Sequence, residues 1–182
     1  HSQNLTGIWP KKVVNYKTVM SDAASGFTSV TYPFPVIRMA DLYLMYAEAL
    51  NEKGEDYATV LPWIDMVRER SGLQGVKESW DQYVGNSKYA TQTGLRQIIM
   101  QERRIELAFE GHYFWDVRRW KTATTELTQP LTGWKVRYGE TDVDYYSENL
   151  VLVRDFTPKM YFWPIDIGEL RKDPNLVQNY GW

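Results

Sequence analysis

Between Ile37 and Lys53 the chain carries apolar side chains on two sides of one helix. Ala40, Tyr43, Leu44, Ala47 and Leu50 recur at helical spacing as one stripe, Leu42, Met45, Tyr46 and Ala49 form a second, and only Asp41 and Glu48 interrupt the middle. A helix apolar on most faces must be buried between neighbours, so this segment alone calls for a packed helical core. Pro35 stands just ahead of it and Gly54 ends it. A second helix fits 56–71, with Val60, Trp63, Ile64 and Val67 as its buried stripe and Gly72 as its stop. Pro62 within that run predicts a kink or a late start. Residues 37–71 together have the length of one tetratricopeptide-like helix–turn–helix unit, roughly 34 residues, without its strict repeat signature.

The third and clearest helical pattern covers 94–110, with Leu95, Ile98, Ile99, Ile105, Ala108 and Phe109 marking its buried face. After Gly111 a short fourth helix fits 113–121, with Phe114, Val117 and Trp120 turned inward. The fold class that follows is mainly α: a helical hairpin at 37–71, a helical pair at 94–121, and long irregular, aromatic-rich connections. Residues 1–36 are broken by Gly7, Pro10, Gly26, Pro33 and Pro35. Residues 73–93 form a polar link carrying Trp80, Tyr83 and Tyr89. From 122 to 160 no helical period appears, and so long a connection points to function or docking. It carries Trp134, Tyr138, Tyr145, Tyr146 and Phe156, too many aromatics for a disordered segment. An extended apolar stretch at 161–165, a helical turn at 167–171 and a polar tail complete the long loop and C-terminal tail of 122–182.

Composition narrows the function classes. Lys plus Arg number 21 and Asp plus Glu 23, a net charge of −2, so no basic excess exists for nucleic acid or anionic lipid. The absence of Cys removes thiolate zinc sites, disulfide scaffolds and thiol nucleophiles from this chain. Aromatics are abundant, with 8 Trp, 13 Tyr and 6 Phe in 182 residues, and they must either pack a core or offer flat faces to a ligand. The chain opens His1-Ser2-Gln3-Asn4 without an initiator Met, which is expected of a piece of a longer protein.

Glu102, Glu106 and Glu110 repeat every four residues and share a helical stripe. A di-metal centre would also need Glu-x-x-His steps on partner helices, and His1 and His112 are in no such step, so no metal and no cofactor is expected. Glu102 falls among apolar residues, where a carboxylate must be paired. The expected partners are arginines, in a structural network of Glu102, Glu106, Arg38, Arg68 and Arg118 that ties helices together. A glycosidase-like acid pair needs a cleft between its carboxyls, which one helix in a packed bundle does not provide. Asp142, Asp144 and Glu148 read as a solvated cluster in the long segment. No nucleophile elbow, zincin motif or phosphate loop occurs, so no catalytic residue is assigned.

The blocks carry a family likeness. Ile37 to Leu50 followed by Gly54, then Val67-Arg68-Glu69-Arg70-Ser71-Gly72-Leu73, resemble two helical blocks of the RagB/SusD nutrient-uptake family. Glu102-Arg103-Arg104-Ile105-Glu106-Leu107-Ala108-Phe109-Glu110-Gly111-His112-Tyr113-Phe114-Trp115-Asp116-Val117-Arg118-Arg119-Trp120 is similar to its most specific block. Phe162-Trp163-Pro164-Ile165, Glu169, Asn175 and Gln178-Asn179-Tyr180-Gly181-Trp182 resemble its closing segment, and Gly7 to Lys12 resembles what precedes the first block. The departures are Tyr113 where the family has Arg, Asp166 where it has a second Pro, and Pro62 inside a helix.

The resemblance implies a SusD-like fold of tetratricopeptide-like helices. It implies an outer-membrane lipoprotein on the extracellular face that captures oligosaccharide, or peptide, for a SusC-like TonB-dependent transporter, as a binder and not an enzyme. Members are longer than this chain, and the blocks belong to their C-terminal portion, so 1–182 is expected to be a C-terminal part. The missing N-terminal half would carry the lipid anchor. A stand-alone helical-repeat adaptor for a peptide is the second reading, and a glycoside hydrolase the third. Sugar capture asks for aromatic faces free of the helical core, which selects Trp80, Tyr83, Trp134, Tyr138, Tyr145 and Tyr146 as candidate ligand residues.

Overall fold

A computed structural model describes residues 4, 6–8, 10–20, 26–135 and 140–182. The chain divides into two compact units, Lys11–Tyr113 and His1–Pro10 with Phe114–Trp182.

The first unit is built on three long helices: α1 (Met39–Lys53), α2 (Tyr57–Arg70) and α4 (Gln92–Glu106). Between α2 and α4 lie α3 (Val76–Ser79), a π-helical turn at Trp80–Val84 and a 3-10 turn at Lys88–Ala90. A small antiparallel pair, β1 (Val19–Met20) with β2 (Phe27–Thr28), precedes them. Helix α1 stops where Gly54 takes φ +88°, a left-handed conformation that returns its N–H to the carbonyls of Asn51 and Leu50. Asp56 starts α2 by accepting the Ala58 N–H at 2.8 Å. The helix then runs through Pro62 and does not start late. Pro62 and Ala58, whose carbonyl loses its intrahelical partner, both face outward, where water can satisfy that oxygen. Leu44, Ala47, Val60, Leu61, Ile64, Val67, Val76, Leu95, Ile98 and Ile99 fill the core where α1, α2 and α4 meet.

Two expectations change here. Helix α1 buries only the face carrying Ala40, Asp41, Leu44, Ala47 and Asn51; its second stripe, Leu42, Met45 and Tyr46, is exposed. Helix α4 ends at Glu106, because residues 107–111 turn and Phe109 adopts φ +65°. Ile105, still within α4, and Phe109, beyond its end, are 62% and 63% exposed, and the buried face runs instead through Arg103 and Leu107. At the other end, Thr91 caps α4 by accepting the Gly94 N–H at 3.1 Å. A Cβ on Gly94 would stand 2.1 Å from the Lys88 carbonyl oxygen, so the approach of the 3-10 turn to α4 requires glycine.

The division between units falls inside α5 (His112–Arg119). Asp116 and Val117 are its buried residues, whereas Phe114, expected inward, is exposed under the Arg118 guanidinium, 3.5 Å from its ring centroid. The segment 122–160, read as irregular, holds α6 (Ala123–Glu126), β3 (Leu131–Trp134), α7 (Asp142–Tyr145), β4 (Glu148–Leu152) and most of a 3-10 turn at Pro158–Tyr161. Phe156 is buried with its ring 5.1 Å from that of Tyr161. Asp166 caps α8 (Ile167–Lys172) through the Gly168 N–H at 2.7 Å, so the replacement of Pro by Asp supplies a helix start. The tail is then pinned back by side chains. Gln178 bonds both the N–H and the carbonyl of Ile165, Asn179 donates to the Trp163 carbonyl, and the Trp182 indole N–H is shared between the carbonyls of Lys159 and Phe162.

Candidate functional site

The charged residues of the first unit form a scaffold. Arg38, the N-cap of α1, sends its guanidinium to the carboxylates of Glu106 and Glu110 and to the Glu106 carbonyl. Arg70 of α2 reaches Glu106 at 2.7 Å, and Lys12 pairs with Glu110 at 2.5 Å. Arg68 bridges Glu102 of α4, the Gln74 carbonyl and the Ser79 hydroxyl, holding the chain around α3 to both helices. Burial alone would raise the Glu110 carboxyl, but the bonds from Arg38 and Lys12 outweigh it and hold the group below its ordinary range. At Glu102 burial wins: the carboxyl is pushed up, and Arg68 only partly offsets it.

Arg118, placed in this network from sequence, faces aromatic rings instead, with its guanidinium 3.5 Å from Phe114 and 5.0 Å from Phe156. A deeply buried pair of the first unit was missed. Arg103, 3% exposed, donates to Asp41 at 2.9 Å, and His112 Nδ1 stands 4.0 Å from the same carboxylate. Its one signal was that Asp41 interrupts an apolar helix one turn from its start. Asn51 was missed as well: buried, it exchanges side-chain to backbone bonds with Gln92. Where the family pattern has Arg, the Tyr113 ring lies 5.3 Å from the Arg104 guanidinium. Among the described residues no group of three or more His, Cys, Asp or Glu is arranged to hold a metal ion.

The six aromatic candidates separate. Trp80 is half-buried against the helical core, with the Lys88 ammonium 5.4 Å from its ring. Tyr83 is 72% exposed in the π-helical turn. Tyr138 lies outside the described residues. The remaining three, Trp134, Tyr145 and Tyr146, come together in the second unit.

Their meeting has a local cause. Strands β3 and β4 pair antiparallel, with Trp134 opposite Glu148, Gly133 opposite Asn149 and Thr132 opposite Leu150, and a bulge follows toward Leu131 and Leu152. Trp134 donates its backbone N–H to the Thr6 carbonyl at 3.1 Å. The connection between the strands ends in α7, which Thr141 caps by accepting the Asp144 N–H. It folds back because the Lys135 N–H donates to the Tyr145 carbonyl at 3.1 Å. Tyr146 is thereby set edge-to-face with Trp134 at 5.7 Å and 83°, and with Tyr145 at 5.0 Å and 82°. Trp134 remains 37% and Tyr146 62% exposed. Perpendicular packing fixes the orientation of each ring while leaving flat surface open, which is what stacking on the C–H face of a pyranose requires.

Comparison with known proteins identifies the class. The model of the SusD family matches residues 1–182, and the chain belongs to that family. SusD-like protein P25 of Formosa agariphila is 39% identical over 144 residues, covering 79% of this chain and 23% of that protein. A SusD-like protein of Bacteroides fragilis aligns over 88% of this chain and 28% of its own, with 28% identity and a TM-score of 0.69. A SusD-like carbohydrate binding protein of the same organism aligns over 82% of this chain and 29% of its own, with 31% identity and a TM-score of 0.64. The mainly helical fold is thus SusD-like, and the chain spans about a quarter of the length of the relatives it matches. Among the described residues no helix is long and apolar enough to cross a membrane.

Proposed function

We propose that this chain is part of a surface glycan-binding lipoprotein that captures oligosaccharide for a SusC-like TonB-dependent transporter, and that Trp134, Tyr145 and Tyr146 form one of its sugar contacts. The observation that carries the assignment of the contact is the edge-to-face cluster beside a strand pair, in which the Trp134 and Tyr146 rings stay exposed. Family membership and the solved SusD-like carbohydrate binding protein of Bacteroides fragilis support the ligand class. The reading is of a binder without turnover, located on the extracellular face of the outer membrane through a lipid anchor elsewhere in the polypeptide. The exposed stripe of α1, Leu42, Met45 and Tyr46, supports a further partner: an N-terminal half of the same protein, packed on that helix.

A single open cluster stacks on one or two sugar rings, so the isolated chain should bind weakly, with a dissociation constant on the order of millimolar. Affinity electrophoresis through gels containing neutral polysaccharides tests the assignment. Retardation of the chain that is lost in Trp134→Ala and kept in Tyr83→Ala supports it. Retardation lost only in Tyr83→Ala would move the site to the π-helical turn.

A further inference from the structure

The aromatic cluster is set among carboxylates, and their placement bears on which sugars it accepts. Glu148 lies directly opposite Trp134 in the strand register, and such pairs have Cβ atoms about 4.5–5.5 Å apart. Asp142 stands one helical turn before Tyr146, whose N–H donates to the Asp142 carbonyl at 3.0 Å, so the two side chains are neighbours on that turn. Asp144 immediately precedes Tyr145 and accepts the Thr141 hydroxyl at 3.0 Å. All three acids are exposed, and among the described residues none has an ion-pair partner. By sequence, residues 134–149 carry Glu140, Asp142, Asp144 and Glu148 against Lys135 and Arg137, a net negative charge for the segment.

We infer that the cluster takes neutral glycans and rejects those bearing sulfate or uronate groups. The inference rests on the proposed reading of Trp134, Tyr145 and Tyr146 as a sugar contact. A neutral pyranose stacks its C–H face on the rings, and its hydroxyls donate to the flanking carboxylates in charge-assisted bonds. An anionic ring meets the same carboxylates as like charges. At about 7 Å in water each such pair costs roughly a two- to threefold loss in affinity at low salt, and the loss shrinks as salt screens it. The same carboxylates therefore help one class of sugar and oppose the other.

The test is a glycan array of neutral polysaccharides and their sulfated and uronate-containing counterparts. It is probed with the chain, with Trp134→Ala and with the double variant Asp142→Asn/Glu148→Gln, at low and high salt. Circular dichroism confirms that each variant folds, and Trp134→Phe serves as a conservative control that keeps an aromatic face. We expect signals on neutral glycans that change little with salt and fall about tenfold or more in Trp134→Ala. We also expect signals on anionic glycans to appear at low salt in the double variant, raised roughly four- to ninefold over the parent. Anionic glycans bound by the parent as strongly as neutral ones, and lost in Trp134→Ala, would overturn this inference while leaving the sugar contact in place. Binding that ignores Trp134→Ala, or no binding to any glycan, would overturn the reading of the cluster itself.

Discussion

Arg103 and Asp41 show how much rests on single charges in this chain. Arg103 lies in the buried face of α4 and its guanidinium bonds the buried carboxylate in the first turn of α1. Removing one partner of such a pair strands the other, which costs about 3–5 kcal/mol. Arg103→Ala should therefore lower the unfolding free energy by that amount, read as a lower urea midpoint, or leave the chain unfolded. Arg70→Ala removes an exposed guanidinium whose partner Glu106 keeps Arg38, and should cost under about 1 kcal/mol. Glu102 carries a pH signature instead. Its carboxyl is raised above 4.5 by burial, so the folded chain binds that proton more tightly than the unfolded chain. The resulting stabilisation is complete below the unfolded value and is lost as pH rises through the raised one. Urea unfolding of the parent and of Glu102→Gln should show the parent gaining stability relative to the variant as pH falls from neutral through the raised value toward the ordinary carboxylate range. Sequence picked out Glu102 because it falls among isoleucines, and its partner Arg68 was among those named. Arg103 counted there only as one of several available arginines and not as a buried partner of Asp41, because one residue of phase separates it from Glu102 and the apolar pattern appeared to run on through Ile105 and Phe109. The left-handed conformation of Phe109, which cuts the helix short, leaves no mark in that pattern.

Helices with a strong apolar period and glycine stops were legible as elements, and α1, α2 and α4 stand where that pattern put them, to within a few residues at their ends. Burial of both stripes of α1 was not a sound inference, since an apolar face identifies what has to be covered and not what covers it. The strand pair at 131–134 and 148–152 was not legible, because its members are short and exposed, and its thirteen-residue connection hides the hairpin spacing. Gly94 carries a requirement that no periodicity displays. With the Lys88 carbonyl 2.1 Å from where a Cβ would stand, Gly94→Ala must push the 3-10 turn away from α4. We expect a loss of about 2 kcal/mol or more in thermal or urea unfolding, although alanine is the better helix former by about 1 kcal/mol.

For the whole molecule, the two units carry different tasks. The helical unit holds its packing through buried leucines, isoleucines and the paired charges of Arg38, Arg68 and Arg103. The second unit presents the aromatic cluster, with its tail fixed by Gln178, Asn179 and Trp182. Sequence could separate aromatics inside helical blocks from those outside, and so reach Trp134, Tyr145 and Tyr146. It could not tell which of the six would meet, because that depends on a backbone bond between Lys135 and Tyr145 ten residues apart. The most direct test of the sugar contact follows the indole N–H signal of Trp134 by NMR, assigned by its absence in Trp134→Phe, while a neutral oligosaccharide is titrated in. We expect a saturable shift of that signal together with those of Tyr145 and Tyr146, and no saturable shifts in this cluster on titration of Tyr146→Ala together with Trp134→Ala. Saturable shifts confined to Trp80, Tyr83 or the exposed stripe of α1, with the Trp134 signal unmoved, would contradict the assignment.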